Sequence, residues 1–150
     1  MLTHEILQEK NEETIPEVTS EDYGQECILD FSDVPNSFFH KHTIRLFSEK
    51  LCDEINMRKG PNYVHVWGED KQERKHFQGA GAIKADGISV SAVCTQFLYS
   101  SSITIHALDE IHKVFVNIFS CNKFDAAKAE KFCQENVGGK IVARHNIIRR

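Results

Sequence analysis

Along this chain, apolar residues recur at every second position in some stretches and at every third and fourth in others. Glu26-Cys27-Ile28-Leu29-Asp30-Phe31, bounded by Gly24 and by Asp33-Val34-Pro35, predicts a short first strand. Pro35 suits the first turn of a following helix, where a missing N–H is no loss. Ile44, Phe47, Leu51 and Ile55 are spaced as one face of an amphipathic helix running through Asn56, and Gly60-Pro61 stops it. Tyr63-Val64-His65-Val66-Trp67 alternates and predicts a second strand, followed by a charged loop from Gly68 to Lys75 and an irregular Gly79-Ala80-Gly81. Strand patterns then cover Gly87 to Tyr99, Ser101 to Ala107 and Lys113 to Ser120, with a turn over Leu108 to His112. Phe124 to Val137 returns to helical spacing. Ala129, Phe132, Cys133 and Val137 lie inward, Lys128, Glu130 and Lys131 outward, and Gly138-Gly139 caps the end. Lys140 to Arg144 is a final strand. The order β-α-β-β-β-β-α-β predicts an α+β fold, a two-layer sandwich in which an antiparallel-rich sheet is covered by two helices.

Composition narrows the picture more than it changes it. Residues 1–22 are rich in Glu, Thr, Asn and Gln with little apolar periodicity, which predicts a flexible acidic lead-in to a single domain over 23–150. Apolar residues make up 41% and charged residues 27%, ordinary for a globular domain. A net charge of −4 argues against a nucleic-acid partner, and the locally basic Arg144 to Arg150 stretch reads as a solvated end. The apolar runs fall short of the roughly 20 residues that a membrane span needs, so no membrane role is expected. Five cysteines, an odd count with no CxxC pair, fit a reduced, cytoplasmic protein better than a disulfide framework or a zinc site.

Candidate chemistry gathers around Ser100-Ser101-Ser102-Ile103-Thr104-Ile105-His106 and the cysteine that ends the next strand, Cys121. The eight histidines have no metal-ligand spacing. His40 and His42, two apart on a helix, point to different sides, so no metal is expected. There is no GxSxG elbow for a serine hydrolase and no phosphate loop among the glycines. Trp67 and Phe77 flank the irregular loop, where either ring could stack on a purine or simply cover a sheet edge. A cysteine at a strand end is, taken alone, ordinary core filler.

The hairpin as a whole closely resembles the core of the bacterial and archaeal S-adenosylmethionine decarboxylase proenzymes. Ser101-Ser-Ile-Thr-Ile-His106, then Asp109-Glu110, then Val114-Phe-Val-Asn-Ile-Phe-Ser-Cys121 reproduces without a gap that family's spacing from active serine to histidine, glutamate and cysteine. A weaker likeness runs over roughly residues 24–148 and includes Gly24-Gln-Glu-Cys-Ile-Leu-Asp-Phe. The resemblance implies that Ser101 attacks the preceding carbonyl and that the chain is cut between Ser100 and Ser101. Ser101 would be left as a pyruvoyl group that forms a Schiff base with the substrate amine and acts as electron sink. It implies further that His106 is the acid/base that assists processing, that Cys121 protonates the substrate carbon after decarboxylation, and that Glu110 binds the ribose hydroxyls. The implied substrate is S-adenosylmethionine, the implied role polyamine synthesis, and the implied assembly a homodimer or other homo-oligomer with sites between subunits.

Three positions depart from the family pattern. Ser100 stands where the family has glutamate, Ser102 where it has histidine, and Val93 where it has a second processing serine. Ser91, Cys94 or Thr95 would replace that serine only in a shifted register, and the reacting residue could instead be Ser102. The pocket-forming approach is reduced to Asp86-Gly87-Ile88-Ser89. Leu51-Cys-Asp-Glu-Ile-Asn-Met57 is similar to a helical stretch of phage lyases that degrade S-adenosylmethionine. Three other readings therefore stay open: a pyruvoyl enzyme that takes a different amino acid, a lyase with the same fold and no self-cleavage, and a catalytically inactive regulatory paralogue.

Overall fold

The structure, a computed structural model, describes Thr19 and residues 21–66, 92–98 and 100–150. Among them are strands β1 (Gly24–Ser32), β2 (Lys59–Val66), β3 (Ala92–Leu98), β4 (Ser101–Leu108), β5 (Lys113–Ser120) and β6 (Lys140–Arg149), with helices α1 (Lys41–Glu54) and α2 (Ala126–Val137). The strands form one sheet in the order β2-β3-β4-β5-β1-β6, every neighbour antiparallel. This is the expected α+β two-layer sandwich with its two helices.

Strict alternation decides which face is covered. On β5 Val114, Val116, Ile118 and Ser120 are buried, while Lys113, Phe115, Asn117 and Phe119 are only half-buried. β1 and β4 alternate in the same way. The buried rows lie under both helices: α1 packs on β2 and β3, α2 on β1 and β6, and the two meet where Phe47 stacks on Phe132 at 5.9 Å. The helical spacing works as expected, since Ile44, Phe47, Leu51 and Ala129, Cys133, Val137 are all core residues.

Three boundaries differ from the sequence expectation. Pro35 opens a separate one-turn helix, Asn36–Phe38, and α1 starts later, with His40 at its N-cap. The extra turn buries Phe38 and Phe39, with the Phe38 ring edge-on to Phe47 at 5.5 Å. Gly60 and Pro61 lie inside β2, at a register shift between Lys59 and Asn62. The basic end is strand, not solvated tail. It pairs with β1 through Arg149, and Arg144, Arg149 and Arg150 bind Glu130, Glu26 and Asp22 at 2.9, 2.9 and 3.0 Å.

The register shift in β2 leaves carbonyls outside the ladder, and one buried side chain answers them. Gln96 is fully buried. Its amide donates to the carbonyls of Gly60 and Phe97 at 2.9 Å and of Pro61 at 3.3 Å, and its oxygen accepts from Asn62 at 2.7 Å. Gln96→Leu keeps the volume but strands these groups away from water, so it should cost about 2–4 kcal/mol of stability. Urea unfolding of the variant checks this; an unchanged midpoint would mean that water reaches the bulge.

Candidate active site

The site is built from the ends of two hairpins. β3 ends at Leu98 and β4 begins at Ser101, and these two residues are Cα partners. So tight a reversal demands left-handed backbone, and Ser100 adopts it with φ 54°. A residue with a Cβ carries about 1–2 kcal/mol of strain there. The strained residue supplies the carbonyl of the Ser100–Ser101 peptide bond.

Ser101 belongs to the helix-covered face, in line with Ile103, Ile105 and Ala107, and is almost buried. The pairing of Ser102 with Phe119 brings Ser101 opposite Ser120. The Ser101 hydroxyl donates to Ser120 Oγ at 3.3 Å, accepts the backbone N–H of Cys121 at 3.2 Å, and lies 3.8 Å from Cys121 Sγ. Ser120 is fully buried. It accepts the N–H of Asn122 at 3.0 Å, and its own hydroxyl faces the Met57 sulfur at 3.7 Å.

Two features of β1 hold this corner in place. A Cβ on Gly24 would collide with the Ser120 carbonyl oxygen and approach Cys121 Cα to 2.9 Å, so only glycine lets β1 run this close. Beside it, the buried Gln25 amide donates to the Phe124 carbonyl at 2.8 Å and fixes the loop that follows Cys121. Cys121 also differs from the other four cysteines. It is half-buried, whereas burial seals the others and pushes the thiols of Cys27 and Cys52 up to about 12 and those of Cys94 and Cys133 upward as well.

Ser101 and Cys121 are thus brought together, and His106 and Glu110 are not. His106 is exposed on the open face of β4 between Phe115 and Val93. Five residues of strand separate it from Ser101, on the order of 16 Å. Glu110 is exposed in the one-turn helix Asp109–Ile111, beyond the far end of β4. Ser102 shares the open face with Thr104 and His106. Val93 is the Cα partner of His106 and Thr95 that of Thr104, whereas the buried Cys94 thiol turns to Ser48 at 3.6 Å and Asn62 at 3.9 Å. Trp67, Phe77, Ser91 and the Asp86-Gly87-Ile88-Ser89 segment lie outside the described residues, as do nearly all of the lead-in and the charged loop.

Ser120 and Gly24, which the sequence marks only as part of a strand and as its boundary, thus belong to the site as well. Ser120 was within reach: once Leu108 and Lys113 form the last pair of the hairpin, counting back along both strands lands Ser101 on Ser120. An aromatic group that no sequence pattern announces gathers on the open face at this end of the sheet. Tyr23, largely exposed, stacks on Phe119 at 6.4 Å, and the Arg149 guanidinium lies 5.5 Å from the same ring. Among the described residues no group of three or more His, Cys, Asp or Glu side chains could hold a metal ion, and no helix is long and apolar enough to cross a membrane.

Residues 25–150 match the sequence model of a family described as S-adenosylmethionine decarboxylase. The fold is similar to the crystal structure of the adenosylmethionine decarboxylase from Aquifex aeolicus VF5. The two share 17% identity with a TM-score of 0.63, over 85% of this chain and 91% of that one. At that identity the likeness speaks for the fold alone. No curated protein sequence matches the chain.

Proposed function

Because the chain belongs to the S-adenosylmethionine decarboxylase family, we propose that it is a self-cleaving proenzyme that decarboxylates S-adenosylmethionine for polyamine synthesis. The observation that carries this reading is the Ser101 hydroxyl, nearly buried, held by the Cys121 N–H and Ser120, and adjacent to the strained Ser100. A hydroxyl in that position needs only a short reorientation to reach the Ser100 carbonyl carbon. In the acyl shift the Ser101 Oγ–carbonyl bond forms and the Ser100–Ser101 C–N bond breaks. The hydroxyl proton ends on the freed nitrogen. β-Elimination then breaks the Ser101 Cβ–Oγ bond and releases the N-terminal piece as the Ser100 carboxylate, and water hydrolyses the dehydroalanine left at position 101, through its imine tautomer, to the pyruvoyl group and ammonia.

These residues fit a pyruvoyl group at position 101, which would supply an electron sink for the substrate amine. Cys121, whose sulfur is already 3.8 Å from Ser101 Oγ and half-open to solvent, is placed to deliver a proton to the substrate carbon. Tyr23 and Phe119 offer a stacking surface for the purine in addition to Trp67 and Phe77.

The distance of His106 and Glu110 from Ser101 within one chain supports a homodimer in which each site takes Ser101 and Cys121 from one copy and His106 and Glu110 from the other. A complementation experiment tests this. His106→Ala chains should stay intact alone and be cleaved when co-produced with Ser101→Ala chains. If they are cleaved equally well alone, or never, the shared site is wrong.

One observation favours a second reading. Among the described residues, the hydrogen-bond partners of Ser101 include no histidine or carboxylate, and Ser100, Ser102 and Val93 replace the family's polar processing residues. That arrangement also suits a lyase, or an inactive regulatory paralogue, which binds S-adenosylmethionine without self-cleavage. Incubation with carboxyl-labelled S-adenosylmethionine separates them. Labelled carbon dioxide is expected; methylthioadenosine with homoserine lactone would identify a lyase, and neither product would leave the regulatory reading.

A further inference from the structure

We propose that Ser120 is a positioning residue for self-cleavage, one that fixes the direction in which the Ser101 hydroxyl points; this rests on the processing reading above. Ser120 is an odd residue for its place. Ser120 continues the row Val114, Val116, Ile118 under the helices, where an apolar side chain would pack without penalty. A hydroxyl in that row is costly unless its hydrogen bonds are made. They are made, in one particular way. A hydroxyl has two lone pairs and one proton. The Asn122 N–H takes one lone pair of Ser120 at 3.0 Å and the Ser101 O–H takes the other at 3.3 Å. Its own proton is left to the weak acceptor Met57 Sδ at 3.7 Å. With its proton on Met57 Sδ, Ser120 offers Ser101 an oxygen acceptor, stronger than the other acceptor in reach, Cys121 Sγ at 3.8 Å.

The consequence is felt at Ser101. Its proton is directed to Ser120, and one of its lone pairs receives the Cys121 N–H. One lone pair remains, and that is the one available to attack the Ser100 carbonyl carbon. Without Ser120 the Cys121 N–H alone holds the oxygen and the proton turns to Cys121 Sγ or elsewhere, so the fraction of attack-ready hydroxyl falls. Gly24 belongs to the same device, because any larger residue there would displace the Ser120–Cys121 peptide. The step concerned is the acyl shift alone. Ser120 is not consumed and forms no bond to the chain it helps to cut.

The test follows scission of freshly synthesised full-length chains by denaturing mass, with melting temperature measured in parallel. Ser120→Ala should slow scission on the order of 10- to 100-fold, and Ser120→Thr, which keeps the hydroxyl, should restore most of the rate. Hydroxylamine, which cleaves the ester once it forms, should not rescue Ser120→Ala, because the ester itself forms slowly. Wild-type speed in Ser120→Ala, or full rescue by hydroxylamine, would overturn the assignment while leaving the processing reading intact. If Ser120→Ala fails to melt cooperatively, Ser120→Thr decides: near-normal scission supports the role, and scission lost from a folded protein overturns it. A wild-type chain that never cleaves removes the processing reading and this inference together.

Discussion

Ser101→Ala is expected to remain a single intact chain of Met1–Arg150, with no decarboxylase activity. The substitution removes the only oxygen that can attack the Ser100 carbonyl from within the five-membered geometry of the acyl shift. The neighbouring hydroxyls do not replace it. Ser102 projects to the open face, opposite to Ser101, and its attack would cut the bond after Ser101 rather than before it. The fold should survive. The lost hydroxyl strands the Cys121 N–H and relieves Ser120 of a donor, which costs about 1–3 kcal/mol. Peptide mass and melting temperature together check this. Scission that persists in Ser101→Ala, with a fragment starting at residue 102, would reassign the reacting serine to Ser102.

Cys121→Ala should separate the two halves of the chemistry. What Cys121 gives to Ser101 is mainly its backbone N–H, at 3.2 Å, and alanine keeps that group. Scission should therefore proceed at nearly the normal rate. Turnover of S-adenosylmethionine should fall by about 10²–10⁴-fold, the range associated with losing a positioned acid or base. Parallel assays of chain scission and labelled carbon dioxide release measure the two effects. A variant that neither cleaves nor turns over would show that the thiol, and not only the amide, holds Ser101 in place.

Much of the fold was legible because each element carries its own periodicity. The alternation of Val114, Val116 and Ile118 against Phe115, Asn117 and Phe119 specifies a one-sided strand, and Ile44, Phe47 and Leu51 specify one helical face. The boundaries that moved are those where tertiary contact overrides local signals. Gly60-Pro61 looks like a break, yet the buried Gln96 amide satisfies the carbonyls that the break would orphan. The basic end looks like a tail, yet its backbone pairs with β1 as far as Arg149, and acidic partners on β1, on α2 and just ahead of β1 meet its arginines.

The site was legible in part for a different reason. Spacing along the sequence matches Ser101, His106, Glu110 and Cys121 to a family pattern, but says nothing about which strand ends meet. Ser101 and Cys121 meet because the β4–β5 register carries one to the other. His106 sits on the opposite face because strand parity is strict, and Glu110 follows the strand's far end. Ser120 stands in the matched run beside Cys121, but spacing gives it no role; only its partners reveal its orientation.

The most direct test is the denaturing mass of the purified full-length protein. Two pieces are expected, Met1–Ser100 and a fragment spanning 101–150 whose N-terminus is blocked to sequencing and reacts with carbonyl reagents. A single uncleaved 150-residue chain that still binds S-adenosylmethionine would contradict the proenzyme reading.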